Sequence, residues 1–528
     1  MVGMRKLVPL LAFLILSKLA GASVLLSVPA NGTVTYPWPV AGVGTGGGFI
    51  VAVPFNVTSE GTPPSPGAWV LAFGENGSLL WVKSVKGAFL YPSPEIQHAT
   101  ANGSIVLVGR SDSGNHTDLW VIQLNDHGEL LWSKDYNLNI GGEWITFVDD
   151  VSLAGNETII ATHVERYSNG TYSSSPLLVV LDGKGRVLWG REYHSVHGSK
   201  ELYSVSVGKL SDGYYLVLHD GRGGYYYLSL DNNGRVNGTF RFKTNLKGFF
   251  VKSATSTERV LYFLGGSSNG TLLGAVLNGK LLWSKLYTLV PERKCHGDYQ
   301  DASVVGVALY STEPSDSLAF SGGYLYFQPA VSMEFNLTCG ELGRVYAIIK
   351  TDGLGNVLGR FVAVENVSGF GAFLEPKGLA VKGDSFIALW SLSQTNGSFV
   401  KFRSVALISE FGKRPEGSLR VYPFRVTTKP VNVALLPDGK FESRAVTVNA
   451  TEVPLKVEGT GKPPTLAVET LRDSSKAEIC GPGLIVLIAL LAPFIIIGGE
   501  RFINTPRKVL VIPRGLVLSL NGAKSVPP

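Results

Sequence analysis

Cysteine and methionine are scarce, with three of each in 528 residues, and no two cysteines are adjacent. That excludes a disulfide-dense scaffold and a four-cysteine zinc ribbon. Charged residues make up only 17% of the chain, too few for a disordered or solvent-bridging helical protein. Nor does the sequence contain a strand-to-helix nucleophile elbow, a His-Glu-x-x-His pair, a phosphate loop or a calcium loop. The commonest catalytic signatures are therefore missing.

The net charge of +6 invites a nucleic-acid reading until the charges are located. Arg5, Lys6 and Lys18 stand before Ala22, and Arg501, Arg507, Lys508, Arg514 and Lys524 follow the last long apolar run, leaving the body of the chain close to neutral. Phosphate binding needs a Lys/Arg surplus that the body lacks, so no nucleic-acid partner is expected. The basic ends instead read as topology signals. Arg5-Lys6, the apolar run Leu7 to Leu16 and the small residues Ala20-Gly21-Ala22 predict a signal peptide over residues 1–22. Residues 480–499 hold the run Leu484 to Ile497, long enough as a helix to cross a bilayer core of about 30 Å. The cations after it predict a basic cytoplasmic tail over 500–528 and place the rest of the chain outside, anchored to the membrane at the cell surface. Outside, Cys295 and Cys339 are free to form a disulfide, while Cys480 sits at the membrane boundary. Cys295, His296 and Asp298 also offer three metal-ligand types in four residues, without a second cluster to complete a site. No metal is expected.

Glycine, tyrosine, phenylalanine, valine and leucine abound, and a hairpin repeats. An apolar strand, an Asp/Asn/Gly turn and a second strand ending Leu-Trp-x-Lys recur around Trp81, Trp132, Trp189 and Trp283, with weaker copies at Tyr226–Val236 and Val345–Leu358 and a marginal seventh ending at Gly412. The turn glycines 77, 128, 185, 234, 279, 355 and 412 are 45 to 76 residues apart, enough for four strands each. These features predict an all-β chain, a β-propeller of seven four-stranded blades over residues 33–423. The tryptophans are expected to pack between sheets rather than stack on a ligand. Pro291 to Cys339 reads as an insertion, and residues 424–478, which mix short strands with a Pro/Gly-rich stretch, as a β-rich stalk or linker that contributes at most a closing strand.

The apolar strand, Asp/Asn-x-x-Gly turn and Leu-Trp-x-Lys strand resemble the hairpins of secreted bacterial and archaeal β-propellers, including quinoprotein-like (PQQ-like) repeats. The resemblance spans residues 33–423 and implies a fold. A quinone cofactor is not expected, because this chain lacks the adjacent cysteine pair of that family, and no other cofactor is indicated. Ile479-Cys480-Gly481-Pro482-Gly483 resembles the C-terminal sorting signal of hyperthermophilic archaeal surface proteins, which implies processing or lipidation at Cys480. The family pattern ends soon after its apolar run, whereas this chain continues to Pro528.

Thirteen Asn-x-Ser/Thr sequons occur, at Asn31, Asn56, Asn76, Asn102, Asn115, Asn156, Asn169, Asn237, Asn269, Asn336, Asn366, Asn396 and Asn449. They are candidates for glycosylation, although seven are Asn-Gly-Ser/Thr, which a tight turn would select unaided. Glu192-Tyr193-His194-Ser195-Val196-His197 is the densest polar cluster. Two functional expectations follow. The first is a non-catalytic surface module that binds a glycan, peptide or envelope partner. The alternative is a surface enzyme acting on glycans or peptides through acids such as Asp149, Asp150 and Glu165 near the propeller axis.

Overall fold

The structure is a computed structural model that describes residues 24–470, apart from several loops of which 292–303 and 411–423 are the longest. The signal peptide, Cys295, His296, Asp298, His197, Cys339, Cys480, the apolar run and the tail lie outside the described residues, as do Asn31, Asn76, Asn102, Asn115 and Asn169. The second compact unit of the chain, residues 475–528, falls wholly outside them. Among the described residues there is no helix, and so none long and apolar enough to cross a membrane.

Strands form because apolar and β-branched residues run between turns built by glycine and Asp/Asn. In residues 171–182, Leu177, Val179 and Leu181 pack toward the preceding sheet while Leu178 and Val180 pack toward the following one. A strand buried on both faces must read as a continuous apolar run, as this one does. Five of the sheets are antiparallel meanders of four consecutive strands, a to d. The a strands of neighbouring sheets lie against one another, which places them at the axis. Six apolar clusters fill the spaces between successive sheets. The protein is an all-β propeller.

Six blades share one plan: I (residues 40–87), II (95–137), III (144–195), IV (203–244), V (250–291) and a closing blade (372–410). In the closing blade the a, b and c strands come from residues 372–410, but the d strand is Val24–Pro29 from the other end of the chain, paired from Val24↔Ile408 to Pro29↔Arg403. The expected seventh hairpin at Gly412 is thus corrected: its second strand is supplied by the N-terminal segment.

Residues 304–367 form a further sheet in which two strands are each broken in two. Val304–Ala308 and Leu318–Ser321 share the a position, and Tyr324–Phe327 and Ser332–Thr338 share the b position along Glu341–Thr351. Part of the segment read as an insertion, 291 to 339, therefore supplies two interrupted strands of this sheet.

Residues 424–470 were expected to form a stalk, and here the expectation is corrected. They run backwards around the outside of the propeller and add a fifth strand to blades V, IV, III, II and I and then to the closing blade. Each belt strand is four to seven residues long and pairs with a d strand, whose outer edge would otherwise carry unpaired N–H and C=O groups. Edge pairing needs no long apolar pattern, so the sequence reads only as short strands among turns.

Blades are also joined by the repeat itself. Trp132, Lys134 and Tyr136 of blade II all reach the c–d turn of blade III: the indole N–H donates to Gly183 O at 3.3 Å, the ammonium to Lys184 O at 3.0 Å and the phenol to Gly185 O at 2.8 Å. Trp283, Lys285 and Tyr287 of blade V repeat these contacts on Gly353, Leu354 and Gly355. Gly185 has φ +68°, and a Cβ there would meet the Trp132 ring at 2.9 Å. The tryptophans pack between blades as expected, on the neighbouring turn.

Candidate functional site

The end of the propeller where each blade hands the chain to the next gathers polar residues on blades III and IV. The a strand Trp144–Ala154 bulges between Val148 and Asp150, so two successive acids turn the same way, against blade IV. Asp150 is consumed there, accepting from Ser206 Oγ at 2.8 Å and from the Val207 amide at 2.7 Å. Asp149 instead meets His163 on the adjacent b strand, Oδ1 to Nδ1 at 2.7 Å. Its other oxygen is buried without a hydrogen-bond partner among the described residues.

His163 lies between two carboxylates, with Nε2 3.8 Å from Glu165 Oε1. Burial alone would lower its pKa, but the Asp149 carboxylate and then Glu165 reverse this and raise it to about 9. Glu165 accepts from Tyr172 Oη at 2.5 Å and from Tyr167 Oη at 3.4 Å. His163 above all, then Tyr172, holds its carboxyl below the usual range against the cost of burial. Tyr172 Oη in turn lies 3.1 Å from Tyr203 Oη of blade IV.

A second group stands beside it. Glu192 is buried and receives Arg166 Nη1 at 2.6 Å, His194 Nε2 at 3.3 Å and the Ser175 hydroxyl. Burial would raise its pKa, yet the hydrogen bonds from His194, Arg166 and Ser175 outweigh it and bring it to about 2. On blade II, Asp135 accepts from Ser111 Oγ at 2.5 Å, and burial pushes its pKa up to about 6, with Asp118 adding to the rise.

Aromatic rings connect these blades. Phe147 stacks on His163 at 4.9 Å, Tyr203 meets the edge of His163 at 5.0 Å, Tyr203 stacks on His219 at 4.8 Å, and Tyr225 follows at 5.7 Å. Arg110 of blade II caps the row, 4.9 Å above Phe147. The row crosses from blade II to blade IV.

Of the sequence candidates, the fold joins Asp149 and Glu165 through His163, joins Glu192 with His194, and separates Asp150 from both groups. His163, Tyr172, Tyr203 and His219 were missed, because they come from four strands and two blades. The available signal was alternation: His163 and Glu165, two residues apart, occupy one face of the strand Glu157–Ser168. Among the described residues no group of three or more His, Cys, Asp or Glu side chains is placed to hold a metal ion. Asn156, Asn237, Asn269 and Asn449 are exposed, and Asn56, Asn336, Asn366 and Asn396 lie in strands.

Chemically, the first group is an imidazolium clamped between two carboxylates, the pair of acids that glycoside hydrolysis uses. The clamp itself occupies the space a reacting sugar and water would need. Glu165 and Glu192 are both shifted toward the ionised form.

No protein-family model matches the chain, and no curated protein does. Solved structures with some likeness include a protein of unknown function from Dyadobacter fermentans DSM 18053, 8% identical with a TM-score of 0.32, over 73% of this chain and 98% of that one. A Trypanosoma rangeli sialidase in complex with the inhibitor DANA is 11% identical with a TM-score of 0.27, over 63% of this chain and 57% of that one. The Trypanosoma rangeli sialidase in complex with sialic acid is 12% identical with a TM-score of 0.26, over 69% of this chain and 59% of that one. This chain therefore spans less than two thirds of either sialidase chain, and identities and scores this low transfer no activity.

Proposed function

We propose that this protein is an exported, membrane-anchored surface propeller that binds a glycan, without catalysis, on the face over blades II to IV. The observation that carries the reading is the row Phe147, His163, Tyr203 and His219, bordered by Glu165, Tyr167 and Tyr172. Aromatic faces with hydroxyl and carboxylate groups at their margin suit the alternating C–H and O–H surfaces of a sugar. Carboxylates already held by internal donors position such a face and do not drive a reaction. On this reading the interrupted sheet is the seventh blade of the ring, since Leu318–Ser321 lies between the a strands of blade V and the closing blade. A Cys295–Cys339 disulfide, an anchor at or after Cys480 and sugar on exposed sequons such as Asn269 complete the proposal.

The test is a glycan array probed with the detergent-solubilised full chain. Retention of a defined glycan class is expected, weakened at least tenfold by Tyr167→Ala, a residue 55% exposed beside Glu165. A chain that retains no glycan, while pull-downs from its own envelope return a protein, overturns the glycan reading. Hydrolysis of an array sugar would transfer the face to the enzyme reading, with Asp149 and Glu165 as the acids to replace.

A further inference from the structure

We propose that the other rim of the propeller, where the c–d turns lie, docks a second copy of this chain about a two-fold axis between the turns of blades II and III. The belt pairs with blade II from Lys134 onward and with blade III from Arg191 onward, so the first residues of both d strands lie outside it. There Leu131 and Leu188 occupy one repeat position, just before the tryptophan, and are 54% and 50% exposed. Leucines left in water at one position on adjacent blades form a patch rather than scattered apolar residues. Blades I and V carry an exposed leucine at that position as well, Leu80 and Leu282, so apolar surface alone does not select the contact. Charge does.

In blade III the turn is held by Asp182, which accepts from the amides of Lys184 and Arg186 and from the Arg186 side chain at 2.6 Å. Lys184 is then the exposed surplus charge of that turn. In blade II the same position is Asn125, whose Oδ1 accepts from the amides of His127 and Glu129. A neutral side chain holds this turn, so its two acids are surplus: Asp126 lies 3.2 Å from His127, and exposed Glu129 accepts from Asn125 Nδ2 at 2.7 Å, a donor that leaves its charge in place. Adjacent turns therefore differ in sign, −2 on blade II from Asp126 and Glu129 and +1 on blade III from Lys184 and Arg186 against Asp182. The other described turns lack this contrast. Asp231 faces Arg235 in blade IV, where Asn237 replaces the leucine, and Asp352 beside blade V is taken up by Leu354 and Asn356 of its own turn.

The bonds from Trp132, Lys134 and Tyr136 to Gly183, Lys184 and Gly185 make the two turns one rigid pair. A surface of one charge sign would meet attraction and repulsion side by side on that pair. A second copy turned by 180° presents the inverse order: Glu129 of each copy meets Lys184 of the other, and Leu131 meets Leu188, twice over. The leucines supply the burial, and the charges fix the orientation, since exposed ion pairs add little energy by themselves. Two copies joined at this rim leave both aromatic rows facing outward, so on the glycan reading the dimer meets its ligand with two sites.

Sedimentation velocity of the detergent-solubilised full chain should show a dimer fraction that grows with protein concentration. Lys184→Glu and Glu129→Lys should each weaken the dimer at least about tenfold, and the two combined should restore it to within about threefold of the parent, because opposite charges again face each other. Leu131→Ser should weaken the parent and the combined variant alike. All three substitutions fall on exposed side chains, and unchanged melting temperatures confirm that the variants fold. A chain that stays monomeric overturns the inference. A dimer indifferent to both single charge reversals overturns it too, since the contact then lies elsewhere, as does a combined variant weaker than either single one. Asn156 is exposed and lies against Gly183 of the blade III turn, so glycopeptide mass spectrometry finding sugar there on most copies would also overturn it.

Discussion

At the scale of single residues, the turn glycines carry the sharpest demand. Gly185 combines φ +68° with the Trp132 ring and the Tyr136 hydroxyl at under 3 Å from any added Cβ. Gly141 has a similar φ of +77° with nothing within 4 Å. Gly185→Ala should therefore cost about 2–4 kcal/mol, from left-handed strain plus overpacking, and Gly141→Ala only about 1 kcal/mol. Urea denaturation of the two variants gives the comparison, and equal losses would refute the lock between blades. His163 provides a pH test. Its folded pKa of about 9 exceeds its ordinary value of 6.5, so its contribution to stability is fully present below about pH 6.5 and is lost as pH rises through 9. The melting temperature should fall between pH 7 and 10 in the parent but not in His163→Gln, where no charge is gained or lost. A parallel decline in both would place the titration elsewhere.

At the scale of elements, the d strand does more than complete a hairpin. Removing the Tyr136 hydroxyl leaves the Gly185 carbonyl without its donor, so Tyr136→Phe should cost about 1 kcal/mol. Trp132→Ala, which empties the space over the turn, should cost about 2–4 kcal/mol because the ring is only partly buried. Thermal melts check both, and a larger loss from the phenylalanine variant would mean that hydrogen bonding and not packing joins the blades. The hairpins were legible in the sequence because strand, turn and tryptophan are local: Asp182 fixes its turn through the amides of Lys184 and Arg186, two and four residues on. The belt was not legible. Thr427 pairs with Thr288, 139 residues away, and the Arg191 side chain reaches Ser443 across 252, and nothing within residues 424–470 encodes which edge each short strand will join.

At the scale of the whole molecule, closure depends on the two ends of the propeller chain meeting. Val24–Pro29 lies between Phe399–Glu410 and Ala467–Thr470, so one short segment joins the closing blade to the end of the belt. Deleting residues 24–29 should remove both ladders at once and lower the melting temperature by 10 °C or more, on the order of several kcal/mol for six paired residues. An unchanged melt would show that the ring closes by packing alone. The same arrangement explains why the marginal seventh repeat at Gly412 lacked its tryptophan strand. That strand was at the other end of the sequence.

Strand content, the hairpin unit with its turn glycines, the near-neutral body and the charged, apolar ends were legible in the residues alone, because each rests on positions a few apart. Folding in three dimensions was needed to set the strands of 424–470 around the blades, to bring Val24–Pro29 into the closing blade, and to join Asp149 to Glu165 through His163 while leaving Asp150 apart. Those outcomes depend on register between distant strands and on one bulge at Val148/Asp150, and neither leaves a local periodic trace.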